Sequence, residues 1–334
     1  MIDAKLLISK REEYSKLRLQ ELKSRLGDLP EVSGFPDLTI FGAGSYARLE
    51  ASEYSDIDMF FLTQSSAEEI PDLRSNTLRL FGKIIDAICT MKFPKFSNDC
   101  EYLVVLKTKD ILDNIGSRTD DHANYFTVRM LLLLESHCLY GDSIFRQVTT
   151  EIVRKYFVDY PDHQQTFQPM FLMNDICRFW KTLLLNYENK KSTPRGNSDA
   201  QTRATKRKVR NFKLKYSRMT TCFASIAALG SYLAPVTEEH VVAMTQLTPR
   251  ERLLSIPSRL SEVKSEVDEV LERYTWFLEM TGLTTADLEA QFADKQQRTE
   301  MFRQANEYGD AMFRLLNKID ATDNRLRLVR NLVI

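Results

Sequence analysis

Leu6, Leu7, Tyr14, Leu17, Leu19, Leu22 and Leu26 stand among many charges over residues 3–26, at a spacing near that of an amphipathic helix. The stretch from Gly27 to Pro36, with two glycines and two prolines, ends it. Leu38 to Phe41 is a short apolar run entering Gly42, Gly44 and Ser45, the pattern of a buried strand followed by a glycine turn. A second strand is predicted at Ile57–Thr63, a helix at Asn76–Cys89 on the spacing of Leu78, Leu80, Phe81, Ile84, Ile85 and Ile88, and a third strand at Glu101–Lys107. Helix, strand, strand, helix, strand describes an α+β arrangement on a small mixed sheet, here expected at 30–115 after an N-terminal helix at 1–29. From 116 to 334 the pattern predicts a mainly α-helical domain, with helices at 121–140, 143–157, 168–189, 203–230, 249–281, 284–292 and 296–319. The clearest break in it is the loop at Asn189–Thr202.

A chain of 334 residues, 43% hydrophobic and 28% charged, has the balance of a soluble protein with room for two cores. Lys plus Arg and Asp plus Glu are equal at 46 each, so any anionic partner has to be argued from local charge. The five cysteines form no C-x-x-C pair and the four histidines have no zinc spacing, which points to reduced thiols and a cytoplasmic location. Met1–Leu26 is too charged for a signal peptide, and the longest apolar run, Met130–Leu134, is too short for a membrane span.

The informative segment runs from Phe41 to Phe61, where the glycine turn is followed after ten residues by Asp56-Ile57-Asp58. Strand alternation puts Asp56 and Asp58 on one face and turns Ile57 and Met59 to the core. Two adjacent carboxylates with open positions suit Mg²⁺, or Mn²⁺, that also holds substrate phosphates. Gly44 lets the backbone approach an anion closely, and successive N–H groups with the Ser45 hydroxyl offer a phosphate cradle.

The same segment resembles the signature of DNA polymerase β-type nucleotidyltransferases, and most closely the catalytic region of bacterial PII uridylyltransferases and glutamine synthetase adenylyltransferases. Gly44, Tyr46, Arg48, Glu50, Tyr54, Ser55, Asp56, Ile57 and Asp58 fall in register with the uridylyltransferase pattern; Ser45 and Ala47 depart from it. The likeness resumes at Thr127, Leu133, Leu134, Glu135, Leu139, Gly141 and Asp142, whereas no His is directly followed by Asp, as their hydrolase domain would need. The resemblance implies metal-dependent transfer of a nucleoside monophosphate from an NTP such as ATP to an acceptor hydroxyl, with release of pyrophosphate. Asp56 and Asp58 would hold the metals, and a third carboxylate on a later strand would complete the site. Asp99 and Glu101 share a face by alternation and both stay open, with Asp99 preferred as the further metal ligand and Asp86, in a helix, behind them. A protein is one candidate acceptor. RNA, a small molecule, and a catalytically inactive fold used as a regulatory binding module are the alternatives.

Arg48 reads equally as a phosphate ligand or as an ion-pairing residue, with Arg48 and Glu50 pairing with each other or with a neighbouring helix. Asp120, Asp121 and His122 read better as a helix N-terminus than as a metal cluster, and Arg129 with Glu135 as an interdomain ion pair. The segment Lys190–Arg218 carries eleven basic residues against the single acid Asp199, a concentration that calls for an anion. Lys206, Lys208, Lys213 and Lys215 are candidates to reach the triphosphate, with Lys208 and Lys213 taken as nucleotide-binding, and an RNA backbone is the other ligand the segment admits.

Overall fold

The computed structural model describes residues 4–35, 37–65, 73–94, 100, 102–192, 200–322 and 327–333. The chain forms two compact units, Met1–Lys155 and Tyr156–Ile334. The first is α+β and the second helical, as the hydrophobic pattern predicts.

In the first unit, α1 (Ala4–Gly27) and α2 (Pro30–Ser33) precede β1 (Leu38–Ala43), the single-turn α3 (Gly44–Ala47) and β2 (Asp58–Thr63). Next come α4 (Leu73–Thr90), β3 (Val105–Lys107), α5 (Thr108–Asp113), α6 (Arg118–His122) and α7 (Tyr125–Leu134), then β4 (Ser136–Tyr140) and α8 (Asp142–Lys155). The four strands form one sheet in the order β3-β2-β1-β4, with β1 antiparallel to both neighbours and β2 parallel to β3. All six residues of β1 are buried, because both faces of the sheet are covered. Leu38, Ile40, Met59 and Phe61 share a core with Leu19, Leu22 and Leu26 of α1 and Leu80, Ile84 and Ile88 of α4. On the opposite face Phe41 stacks on Phe60 at 5.2 Å and meets Phe145 of α8 at 6.2 Å.

The predicted helix over 121–140 is corrected. Asn124, at φ +60°, separates α6 from α7, the helix ends at Glu135, and residues 136–140 are a strand. The reason is tertiary: the second edge of β1 is paired by His137 opposite Gly42 and Cys138 opposite Phe41. Five residues with one fully buried side chain, Leu139, carry too little pattern to announce a strand. The sheet-bearing unit accordingly runs to Lys155 rather than ending near residue 115. Gly141 makes the turn from β4 into α8 at φ +73°, where a Cβ would lie 2.3 Å from the carbonyl oxygen of Leu38.

The second unit contains α9 (Met170–Ser192), α10 (Ala200–Lys213), a π-helical turn at Leu214–Arg218 and α11 (Met219–Gly230). It continues with α12 (Glu238–Thr245), α13 (Pro249–Ser255), α14 (Lys264–Met280), α15 (Thr285–Ala293), α16 (Lys295–Thr322) and α17 (Leu328–Val333). The predicted helix over 249–281 is two helices, since Pro257 falls in a 3₁₀ turn at Ile256–Ser258 between them. Arg252 fastens α13 inside the unit, donating to the carbonyl of Met244 at 3.0 Å and to the Ser225 hydroxyl at 2.7 Å. Burial pushes its pKa down to about 9. Among the described residues no helix is long and apolar enough to cross a membrane.

Two glycines give opposite expectations. Gly141→Ala combines a left-handed backbone with a backbone clash and should cost about 2–4 kcal/mol in urea unfolding. Gly82→Ala, in the exposed middle of α4 with open space around the new methyl, should raise stability by about 0.5–1 kcal/mol.

Acid is expected to loosen the first unit before the carboxylates titrate. Burial, assisted by the Lys23 charge, lowers the His137 pKa below 6.5, and the hydrogen bond from Lys23 lowers that of Asp142 below 3.8. Both folded values lie below the unfolded ones, so each contribution is complete above the unfolded pKa and is lost as pH falls through the folded one. A melting series should therefore decline below about pH 6.5, and His137→Gln should flatten the upper part of that decline. An unchanged profile in the variant would remove His137 from the account.

Candidate active site

The glycine turn is shaped by its own hydrogen bonds. Arg48 N–H donates to the Gly44 carbonyl (3.1 Å), Leu49 N–H to that of Tyr46 (3.0 Å) and Glu50 N–H to that of Ser45 (2.9 Å). The last two bonds form a Schellman closure with Leu49 in the left-handed position at φ +59°, a place usually given to glycine. The strained turn is held from outside by α1: Arg11 Nη1 donates to the Glu50 carbonyl at 2.8 Å, and the Ser15 hydroxyl accepts from Ala51 N–H at 3.0 Å.

Beneath the turn is a buried ion cluster. Arg48 donates through Nε to Glu50 (2.9 Å) and through Nη1 to Glu135 (2.8 Å), with all three side chains below one-tenth exposed. Of the two readings of Arg48, ion pairing is the one observed, and Glu135 is a second partner that its distance in sequence conceals. The expected pairing of Arg129 with Glu135 is replaced by a fully buried, two-pronged contact from Arg129 to Asp120, at 2.7 and 2.8 Å. Both pairs lie inside the first unit rather than between domains. Asp120 is thus spent on Arg129, and the hydroxyl of Ser117 caps α6.

The Asp-Ile-Asp segment runs alongside the turn. Asp58 opens β2 and pairs with Ala43 across the ladder, which sets it beside Gly44; a Cβ on Gly44 would stand 3.4 Å from Asp58 Oδ2. Gly44 itself has φ +76°, a conformation glycine adopts freely. Ile57 and Met59 are 1% exposed in the α1–α4 core, Asp56 is exposed and Asp58 half-buried. Asp56 comes two residues before the strand, outside the ladder, and what is observed of it is its exposure beside the buried Ile57.

The structure therefore brings Gly44 and Asp58 together; Ser45 follows Gly44 in the single-turn α3, and Asp56 is exposed in the segment before β2. Asp99 and Glu101 lie outside the described residues. Asp86 is exposed on α4, which covers the Ile57 and Met59 side of the sheet. Lys208, half-buried, and Lys213, exposed, belong to α10 of the second unit. Among the described residues no group of three or more His, Cys, Asp and Glu side chains assembles that could hold a metal ion. The two aspartates are nonetheless hard oxygen donors in accessible positions, and their chemistry fits a hydrated divalent cation. Sequence reasoning missed Arg11 and Ser15, which reach the turn only through tertiary packing.

No protein-family model matches the chain, and no curated protein matches its sequence.

The ion cluster predicts how the turn fails. Arg48→Met leaves Glu50 and Glu135 without their shared cation and should destabilise the protein by about 3–5 kcal/mol. Chemical denaturation checks this, and a loss below about 1 kcal/mol would mean that water reaches the carboxylates and screens them.

Proposed function

We propose that the chain is a metal-dependent nucleotidyltransferase that moves a nucleoside monophosphate from an NTP to an acceptor hydroxyl. The observation that carries this reading is the placement of the Asp58 carboxylate against the positive-φ Gly44 turn, with Asp56 exposed and Ile57 buried between the two acids. The resemblance of residues 41–61 to polymerase β-type nucleotidyltransferases supports the same chemistry.

In this reading the acceptor oxygen attacks the α-phosphorus, the bond from that phosphorus to the bridging oxygen breaks, and pyrophosphate leaves with the electron pair. The acceptor proton passes to a carboxylate, for which Asp99 and Glu101 are the candidates. Backbone N–H groups of the turn and the Ser45 hydroxyl hold the phosphates that depart. Asp56 and Asp58 would hold Mg²⁺ or Mn²⁺, which supplies charge neutralisation for both the attacking and the leaving oxygens. Arg48 acts on this chemistry indirectly, by fixing the base of the turn through Glu50 and Glu135. The protein's contribution is mostly positioning. The acceptor is a protein, an RNA or a small molecule with a free hydroxyl.

Incubation with each labelled NTP, Mg²⁺ or Mn²⁺ and a lysate should label one of these classes. Asp56→Ala and Asp58→Ala should each lower transfer by at least about a thousandfold, the scale of a lost charge-stabilising group, while leaving the melting temperature equal or slightly higher. Wild-type transfer by the double variant would sink the assignment. Failure of the wild-type protein to label anything with any NTP would instead favour an inactive fold that serves as a binding module. Asp99 and Glu101 should separate sharply on mutation, one losing activity by orders of magnitude and the other little.

A further inference from the structure

α10 carries Arg203, Lys206, Arg207, Arg210 and Lys213, all exposed, and no acidic residue from Ala200 to Lys213. At about 100° per residue these five fall within roughly one third of the helix circumference. Every position of that arc from 203 to 213 is Lys or Arg. Thr205, Val209 and Phe212 occupy the opposite side and are buried, Phe212 against Phe277 of α14 and Phe292 of α15. The side of α10 turned to solvent is therefore a continuous cationic stripe about 15 Å long, from ten residues at about 1.5 Å each. In a chain with no net charge this is a local concentration of basic side chains.

We propose that this face of α10 docks the phosphate backbone of RNA. A free triphosphate engages one or two point charges, whereas a row of five spread over 15 Å matches a ligand that repeats its charge along its length. A membrane surface would hold the row by charge alone, since the apolar side of α10 that could enter lipid is buried in the core. A protein partner would require an apolar or aromatic centre to the patch, and positions 203, 206, 207, 210 and 213 supply only charge. A DNA-reading helix enters the major groove, but α10 is held by α15 and by Tyr187 of α9, whose hydroxyl reaches the Arg207 carbonyl at 3.4 Å. Structured RNA offers a wide, shallow minor groove bordered by phosphates, which a helix lying in a protein surface meets without insertion. The surface recognises backbone and shape, not base sequence.

The inference stands whether or not the chain transfers nucleotides, and its test uses no activity. Fluorescence anisotropy of the full chain with a labelled RNA hairpin is measured across a salt series, beside duplex DNA of the same sequence and vesicles containing anionic lipid. Lys206→Gln, Arg207→Gln and Arg210→Gln are combined in one variant, and Lys264→Gln, Lys295→Gln and Arg314→Gln, exposed elsewhere in the second unit, form the control. Wild-type protein and control should bind RNA with a steep salt dependence. The α10 variant should bind at least about tenfold more weakly and lose about 2–3 from the slope of log K against log salt. Melting curves matching the wild type exclude a folding defect, and if the triple variant is unstable the three single variants should each lose about 1 from the slope. The proposal is overturned by wild-type protein that ignores RNA at low salt, by equal loss in the control, by RNA binding that the α10 changes leave intact, or by equal or tighter binding to DNA or vesicles.

Discussion

The first unit turns on a single guanidinium. Arg48 is buried between Glu50, its neighbour across the Schellman closure, and Glu135, at the junction of α7 and β4. An arginine so placed is stable only while both carboxylates stay in position, and their burial is compensated only while it does. The cluster therefore couples three things that are far apart in sequence: the glycine turn, the end of the apolar helix, and the strand that completes the sheet on the far side of β1. Arg11 and Ser15 add α1 to the same assembly by binding the backbone of Glu50 and Ala51. The strain of Leu49 at positive φ is sustained by these contacts.

The buried cluster fixes the base of the turn that the proposed reaction would use. β1 is buried on both faces, and its register with β2 fixes Asp58 beside Gly44. Transfer of a nucleotidyl group asks a protein for little covalent work and much positioning, so a turn whose atoms are set by a buried ion cluster fits what the proposed reaction needs. The second unit is organised differently. Its centre is aromatic, with Tyr216 stacked between Phe277 at 4.7 Å and Tyr308 at 4.6 Å at the π-helical turn, and its charge is displayed outward on α10.

What could be read from the chain was whatever depends on neighbours in sequence. Leu38–Phe41 and Ile57–Thr63 announced β1 and β2, the spacing of Leu80, Ile84 and Ile88 announced α4, and the Asp-Ile-Asp alternation foretold which side chains are buried. The spacing of Arg203, Lys206, Arg207, Arg210 and Lys213 is equally local, and it puts five basic residues in one row along α10, with Lys208 off that row. β4 was illegible because its five residues are strand only by pairing with β1, and because the apolar run before it continues a helical period into Glu135.

The sequence by itself determined the local conformations and the chemistry available: a glycine that accepts positive φ, two carboxylates in alternation, a helix without acids. Only the tertiary structure decided which charges are spent on the fold. Asp120 and Arg129 neutralise each other at zero exposure, and Arg48 is consumed by Glu50 and Glu135, although nothing in the spacing of 48 and 135 brings them together. The physical reason is that desolvation makes a buried charge tolerable only beside its opposite, and which opposite is near is a property of packing, not of order along the chain.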